Sequence, residues 1–424
     1  MITQACVQEL SRGMPINPRH GGPEMKERTM AVSADLDDSF APATRLVVGG
    51  RAAATNHGFV NPPVHHASTV LYPTAEDFLA RRARYLYGRR GTPTSEALET
   101  ALCSIEGPQC AGVALVPSGL AAISTALLAV LDAGDHLLVT DSIYHPTRKF
   151  CDGMLKRMDI SATYYDPLIG AGIADLIRPN TRAVFVEAPG SLTFEVQDVP
   201  AIAAAAHAKG AMVLMDNTWA TPLYFRALDK GVDLSIQAGT KYIGGHSDVM
   251  LGTIAANKAS WRRLCDAVHL LGLCVGPDDI YLGLRGLRTL AVRLAQHERA
   301  ALQIARWLKQ RPEIARVWHP ALEDGPGHAM WRRDFTGSSG LFSIVFQPVD
   351  DKAVHAFLNA LRLFGIGASW GGFESLAIPF DCSTMRTAMP WNPPGPTVRL
   401  HIGLESVDDL IADLERGFAA LAAA

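Results

Sequence analysis

Two charged residues of this chain follow apolar runs, where charge is costly unless it is paired or used. Asp216 closes the run Met212–Met215, and Lys241 follows Leu234–Gln237. An acid in the first place caps the next turn, or serves as a buried anion that keeps a heteroaromatic nitrogen protonated. A lysine in the second place is a solvated charge or, once desolvated, an amine of lowered pKa that attacks carbonyls. Ser118-Gly119-Leu120 lies between the run Val113–Val116 and a helical pattern. Free N–H groups at a helix start bind phosphate, and glycine lets a ligand approach; the same turn also serves as a plain connection. Tyr144, after His136–Thr140, either packs in a core or offers a flat face to a planar ring.

Phosphate turn, stacking aromatic, ring-nitrogen acid and Schiff-base lysine together describe pyridoxal phosphate (PLP), an electron sink held on lysine with an acid partner at its ring nitrogen. The set is far more specific than its parts. Neither GxGxxG nor GxxxxGK[ST] occurs, so dinucleotide and P-loop readings lose support. No metal site is expected: the rings of His65-His66, read as strand residues, would point to opposite faces. His246 is expected to be a structural hydrogen-bond partner.

The elements that must place these residues are legible. The runs Val113–Val116, His136–Thr140, Ala183–Val186, Met212–Met215, Leu234–Gln237 and Leu251–Ala255 alternate with helical segments such as Val199–Lys209. That alternation predicts an α/β domain, a mostly parallel central sheet with helices on both faces. In such sheets ligands bind beyond the carboxyl ends of the strands. The uncharged stretch Ala111–Leu131 is long enough to resemble a membrane helix, but Pro117-Ser118-Gly119 divides it into a buried strand and a buried helix. Past residue 287 the pattern changes to a smaller α+β domain. It has a long amphipathic helix over about Leu287–Gln310, a strand at Leu341–Phe346 and a last helix N-capped by Ser406 and Asp409.

Length and charge narrow the class. The chain has 424 residues, enough for two or three domains, and a formal charge of −3, which provides no global field for nucleic acid or anionic lipid. No signal peptide is read at the start; residues 1–30 read as a flexible tail. Seven scattered cysteines without CxxC spacing predict reduced thiols, most of them in the core, and a cytoplasmic protein.

Asp216-Asn217-Thr218-Trp219-Ala220, Ser235-Ile236-Gln237-Ala238-Gly239-Thr240-Lys241-Tyr242 and Gly245-His246-Ser247-Asp248 closely resemble the Cys/Met-metabolism family of fold-type I PLP enzymes. The resemblance runs from about residue 43 to the end. Glu187-Ala188-Pro189-Gly190-Ser191 and Ser369-Trp370-Gly371-Gly372 are similar to the carbon–sulfur beta-lyases of that family. Gamma-type members usually carry E-S-P-T-N-P and S-L-G-G.

The resemblance implies roles. Lys241 matches the imine lysine and proton shuttle, Asp216 the ring-nitrogen partner and Tyr144 the stacking, proton-handling tyrosine. Gly119, Leu120 and Thr240 match phosphate contacts. Tyr87 and Arg89 match a pair that binds phosphate in a neighbouring subunit's site, which implies a homotetramer of catalytic dimers. Arg399 matches the grip on the substrate α-carboxylate, with Ser369 beside it and Trp370 lining the cleft. The implied organisation is an N-terminal tail and arm (1–91), a PLP-binding domain (92–287) and a C-terminal domain (288–424). Ala368 departs from the pattern: beta-lyases often have Tyr there and gamma-lyases Glu. The implied reaction is PLP-dependent beta-elimination from an amino-acid thioether. The rivals are a gamma-type member and a non-catalytic regulator on the same fold.

Overall fold

A computed structural model describes residues 39–424, so Cys6 and the tail expected over residues 1–30 lie outside the described residues. One sheet is built from β1 (Gly112–Val116), β2 (His136–Thr140), β3 (Ser161–Tyr165), β4 (Thr181–Glu187), β5 (Met212–Asp216), β6 (Leu234–Ala238) and β7 (Gly252–Ala256). Their spatial order is β1-β7-β6-β5-β4-β2-β3. β7 runs antiparallel to both its neighbours, and the other pairs are parallel.

Both faces are covered, as the unbroken apolar runs require. Leu137, Val139, Ala183, Phe185 and Leu214 join one core with the helices Gly119–Val130 and Lys258–Leu270. Their chain neighbours Leu138, Val184, Val186, Val213 and Met215 join a second core with the helix Val199–Ala208. This is the period-2 alternation of a strand with helices on either side. Each apolar run became a strand to within two residues. β3 escaped notice because Ser-Ala-Thr-Tyr-Tyr is neither apolar nor cleanly alternating; it sits at the sheet edge with one partner, where burial demands less.

The Ala111–Leu131 stretch is indeed strand, turn and helix. Ser118 stops the strand and caps the helix Gly119–Val130, its hydroxyl accepting from the Ala121 amide at 3.1 Å. Among the described residues no helix is long and apolar enough to cross a membrane.

The smaller unit is an antiparallel sheet of β8 (Ile314–Trp318), β9 (Leu341–Phe346), β10 (Leu376–Phe380) and β11 (Thr397–His401), in the order β10-β11-β9-β8. Phe346, Phe357, Leu414 and Phe418 lie in its core.

Three expectations need correction. The helix expected over Leu287–Gln310 is Leu290–Leu308, preceded by a separate helix Pro277–Leu287. Side chains mark the break: Thr289 Oγ1 donates to the Gly286 carbonyl at 3.1 Å, and Arg293 Nε donates to Thr289 Oγ1 at 3.0 Å. The later helix bridges the two units, with Leu290 and Leu294 in one core and Ala300–Leu308 in the other. Ser406 does occupy the N-cap of Val407–Ala423, but its hydroxyl makes no capping bond. Asp408 and Asp409 supply the negative charge that this helix start favours. The thiols are less buried than expected: of the six described, Cys151 and Cys382 are buried, Cys103, Cys110 and Cys265 half-buried, and Cys274 exposed; none is in a disulfide.

Candidate active site

The strands deliver the predicted residues to one edge. β1 leads into Ser118-Gly119-Leu120, β2 into Tyr144, and β6 into Lys241, while β4 and β5 end on Glu187 and Asp216. β7, running the other way, starts at this edge and ties the flanking turns together. The Thr240 amide donates to the Leu251 carbonyl at 3.0 Å, and the Leu251 amide donates to Thr240 Oγ1 at 3.0 Å. Gly252 packs so closely that a Cβ there would lie 2.1 Å from the Ser118 carbonyl oxygen.

These segments and the smaller unit enclose a cavity of about 470 Å³. Gly119, Leu120, Tyr144, Asp216, Thr240, Lys241, Trp370 and Arg399 line it. Ser369 joins them through its hydroxyl, which accepts from Lys241 Nζ at 2.7 Å. Tyr87 and Arg89 do not reach the cavity of their own chain. Tyr87 is exposed, and Arg89 donates to the His269 carbonyl at 3.2 Å, beside a separate pocket. His65 and His66 lie in coil rather than a strand, and His66 Nε2 is 3.4 Å from Asp278. His246 hydrogen-bonds the Gly244 carbonyl through Nδ1 at 2.8 Å, the structural role expected of it.

Electrostatics at the edge are set by burial and neighbours. Burial lowers the Lys241 ammonium to about 8, the nearby Arg399 guanidinium pushes the same way, and Asp216 opposes. A substantial fraction of this amine is therefore neutral near pH 8. Asp216 lines the cavity, and burial raises its carboxyl. Two bonds from Thr218 oppose that rise: Oγ1 donates at 2.5 Å and the amide at 3.0 Å. The same Oγ1 accepts from the Ala238 amide at 2.9 Å, joining the end of β5 to the end of β6. Burial lowers Arg399 to about 10, which leaves it charged at neutral pH. Its Nη2 donates to the Ser369 and Ala368 carbonyls at 2.9 and 3.2 Å, and its buried Nε has no partner among the described residues.

Thr218 and Glu187 stand within the sequence motifs, and only the structure reveals what they do. Glu187 stands opposite Asp216 in the β4–β5 register, so both carboxyls point to the same face. Glu187 Oε2 accepts the Tyr144 amide at 2.8 Å. Burial, then the neighbouring Asp216, drive its carboxyl well above the usual range. Two buried carboxyls side by side do not both ionise; Asp216, with more donors and Lys241 near it, keeps the charge. Only the sheet order brings the two acids together. The Thr218 bond had a sequence signal, since a Thr two residues after an Asp can close a local turn.

The donor set fits PLP. The first-turn amides of Gly119 and Leu120 precede the intrahelical ladder and suit a phosphate. Asp216 provides an anion for a ring nitrogen, Lys241 an amine ready for a carbonyl, and the orphaned Arg399 Nε a donor for a carboxylate.

Comparison with known proteins agrees with this geometry. The sequence model for "Cys/Met metabolism PLP-dependent enzyme" matches residues 43–419. The chain is 46% identical over 387 residues to cystathionine beta-lyase of Salmonella typhimurium, covering 89% of this chain and 98% of that one. It is 45% identical over 387 residues to cystathionine beta-lyase MetC of Escherichia coli strain K12, with the same coverage. The crystal structure of cystathionine gamma synthase from Xanthomonas oryzae pv. oryzae, in complex with aminoacrylate and cysteine, superposes with a TM-score of 0.83. It is 32% identical, and the match covers 91% of this chain and 99% of that one.

Proposed function

The chain belongs to the Cys/Met metabolism family of PLP-dependent enzymes, and on that premise we propose that it is a carbon–sulfur beta-lyase. It cleaves L-cystathionine to homocysteine, pyruvate and ammonia. One observation carries this reading: Gly190, Ser191 and Trp370, the residues whose types favour beta-lyase over gamma-type motifs, all line the same cavity. The beta-lyase names of the two curated relatives support it.

PLP bound here would supply a carbonyl for the substrate amine and an electron sink for the pair released at Cα. The chain's residues do the rest. Lys241 Nζ would hold the cofactor and, when its amine is free, would take the Cα proton as general base. Arg399 clamps the α-carboxylate and so orients the Cα–H bond. Asp216 remains ionised, supported by Thr218, and would pair with the ring nitrogen. Tyr144 would stack on the ring; its phenol is raised by burial and by Asp216, so it stays protonated at neutral pH. It is thus a proton donor for the departing sulfur, a role open also to Lys241. Ser369 steadies the Lys241 amine, and Trp370, whose ring centroid is 5.4 Å from Nζ, walls the substrate side.

Gly119, Leu120 and Thr240 hold the phosphate. Tyr87 and Arg89 would complete that grip in a neighbouring subunit; both lie away from their own cavity, Tyr87 exposed and Arg89 half-buried. The working form is a cytoplasmic homotetramer of catalytic dimers, and sedimentation across a dilution series, with activity measured in parallel, tests it. The reaction is tested by product analysis of PLP-loaded enzyme with L-cystathionine. Pyruvate with homocysteine is expected; 2-oxobutyrate with cysteine would replace this reading by gamma-elimination. Lys241→Ala should abolish the visible absorbance of bound cofactor, and a variant that kept it would remove Lys241 from its role.

A further inference from the structure

β10 and β11 are hydrogen-bonded antiparallel neighbours, yet residues 381–396 join them by a long detour where two to five residues commonly suffice. The detour crosses to the larger unit and docks there at two places. Asp141, buried at the end of β2, accepts the amides of Thr387, Ala388 and Met389 at 3.0, 3.1 and 2.9 Å. Arg148 Nη2 donates to the same carboxylate at 2.6 Å, and its Nη1 reaches Thr387 Oγ1 at 3.2 Å. From the residue just before Thr387, Arg386 Nη2 donates to Glu195 Oε1 and to Thr193 Oγ1, each at 2.5 Å.

Immediately before these anchoring residues in the chain stands Met385, and Met385 lines the catalytic cavity. Both anchors belong to segments that themselves build the cavity. Asp141 precedes Tyr144 by three residues, and Thr193 and Glu195 follow the lining residues Gly190, Ser191 and Leu192. Ala368, also on the wall, leaves room where a larger side chain would stand. An anchored wall of this kind discriminates by shape, and a thioether side chain offers a soft, adaptable surface to a sulfur substituent.

We propose that residues 381–396 form a specificity strap, with Asp141 and Glu195 as positioning residues and Met385 as the wall against which the substrate's sulfur substituent packs. The proposal rests on the thioether reading above. A merely structural strap would hold the two units together without sorting substrates.

The test uses PLP-loaded wild type, Met385→Phe, Met385→Leu and Asp141→Asn. Pyruvate release is followed from L-cystathionine, with a large substituent, and from S-methyl-L-cysteine, with a small one. Met385→Phe should lower the cystathionine to S-methylcysteine ratio of kcat/KM by about tenfold, and Met385→Leu should keep it within about threefold of wild type. Asp141→Asn should raise KM for cystathionine about fivefold while kcat changes by less than about twofold, with the cofactor absorbance retained. Ratios equal to wild type in both Met385 variants would overturn the strap as a specificity element. A wild type that releases no pyruvate from either compound would overturn the beta-lyase reading instead. Dissociation constants for the two amino acids, read from the cofactor absorbance, then report on the same wall.

Discussion

Thr218→Val separates support of the Asp216 charge from mere packing. Valine keeps the shape and removes the hydroxyl that donates to Asp216 at 2.5 Å and accepts from the Ala238 amide at 2.9 Å. A hydrogen bond to a charged group contributes about 1.5–3 kcal/mol. The Thr218 amide still donates to Asp216 at 3.0 Å, so the lower figure applies. At roughly 1.4 kcal/mol per unit, the Asp216 pKa should rise by about one unit. The sign is fixed: less support for the anion means more protonated Asp216 at a given pH. The acid limb of kcat/KM should therefore move up by about one pH unit, and PLP affinity near that limb should fall about tenfold. The Ala238 amide, left without its acceptor, costs about 1–3 kcal/mol of stability. The assays are a pH–rate profile, a PLP titration followed by absorbance, and denaturant unfolding. Thr218→Ser should restore all three. Lower stability with an unmoved acid limb and unchanged PLP affinity would refute the reasoning, because Thr218 would then only join β5 to β6.

Glu187→Gln should be tolerated, since Gln preserves an acceptor for the Tyr144 amide and the native carboxyl is held neutral; a large loss of kcat would assign Glu187 a charged role. In the apo form Glu187 stabilises the fold below its unfolded pKa near 4.3, and that stability is lost as pH rises toward its raised folded value. The advantage of Glu187→Gln in denaturant unfolding should accordingly grow as pH rises above about 4.3, and a pH-independent difference would contradict this. Arg399→Lys should weaken substrate binding by about tenfold or more while PLP stays bound, because a point charge cannot make the paired contact; an unchanged KM would exclude the carboxylate clamp. Gly119→Ala places a Cβ 2.5 Å from that of Ala238 and must push the helix start off β6, so PLP affinity should fall more than thermal stability.

The sequence spoke clearly where local physics dominates. The apolar runs had to be buried strands, and their ends had to meet at one edge, so Gly119, Tyr144, Asp216 and Lys241 could be placed in one cleft before any coordinates. Relations set by sheet order stayed hidden. Glu187 and Asp216 are 29 positions apart in the chain but directly paired across β4 and β5. Met385 is separated from the β2 turn by most of the chain, and nothing in its neighbours announces that Asp141 will collect three amides from beyond it. The Thr289 break was missed because apolar spacing continues across it. β3 was missed because an edge strand needs little apolar character.

The reversed strand β7 also sets an order of assembly in time. Its first residues pin the turns carrying Ser118 and Thr240, so both turns wait for residue 256, where the strand ends. Arg399 emerges from the ribosome about 140 residues later, a delay of roughly 7–30 s at about 5–20 residues per second. By the roles proposed above, a nascent chain completes the half that takes the cofactor well before the half that grips substrate exists. Supply of PLP during translation therefore bears on how the chain folds, and the third of synthesis that separates residue 256 from Arg399 proceeds without any means of committing substrate.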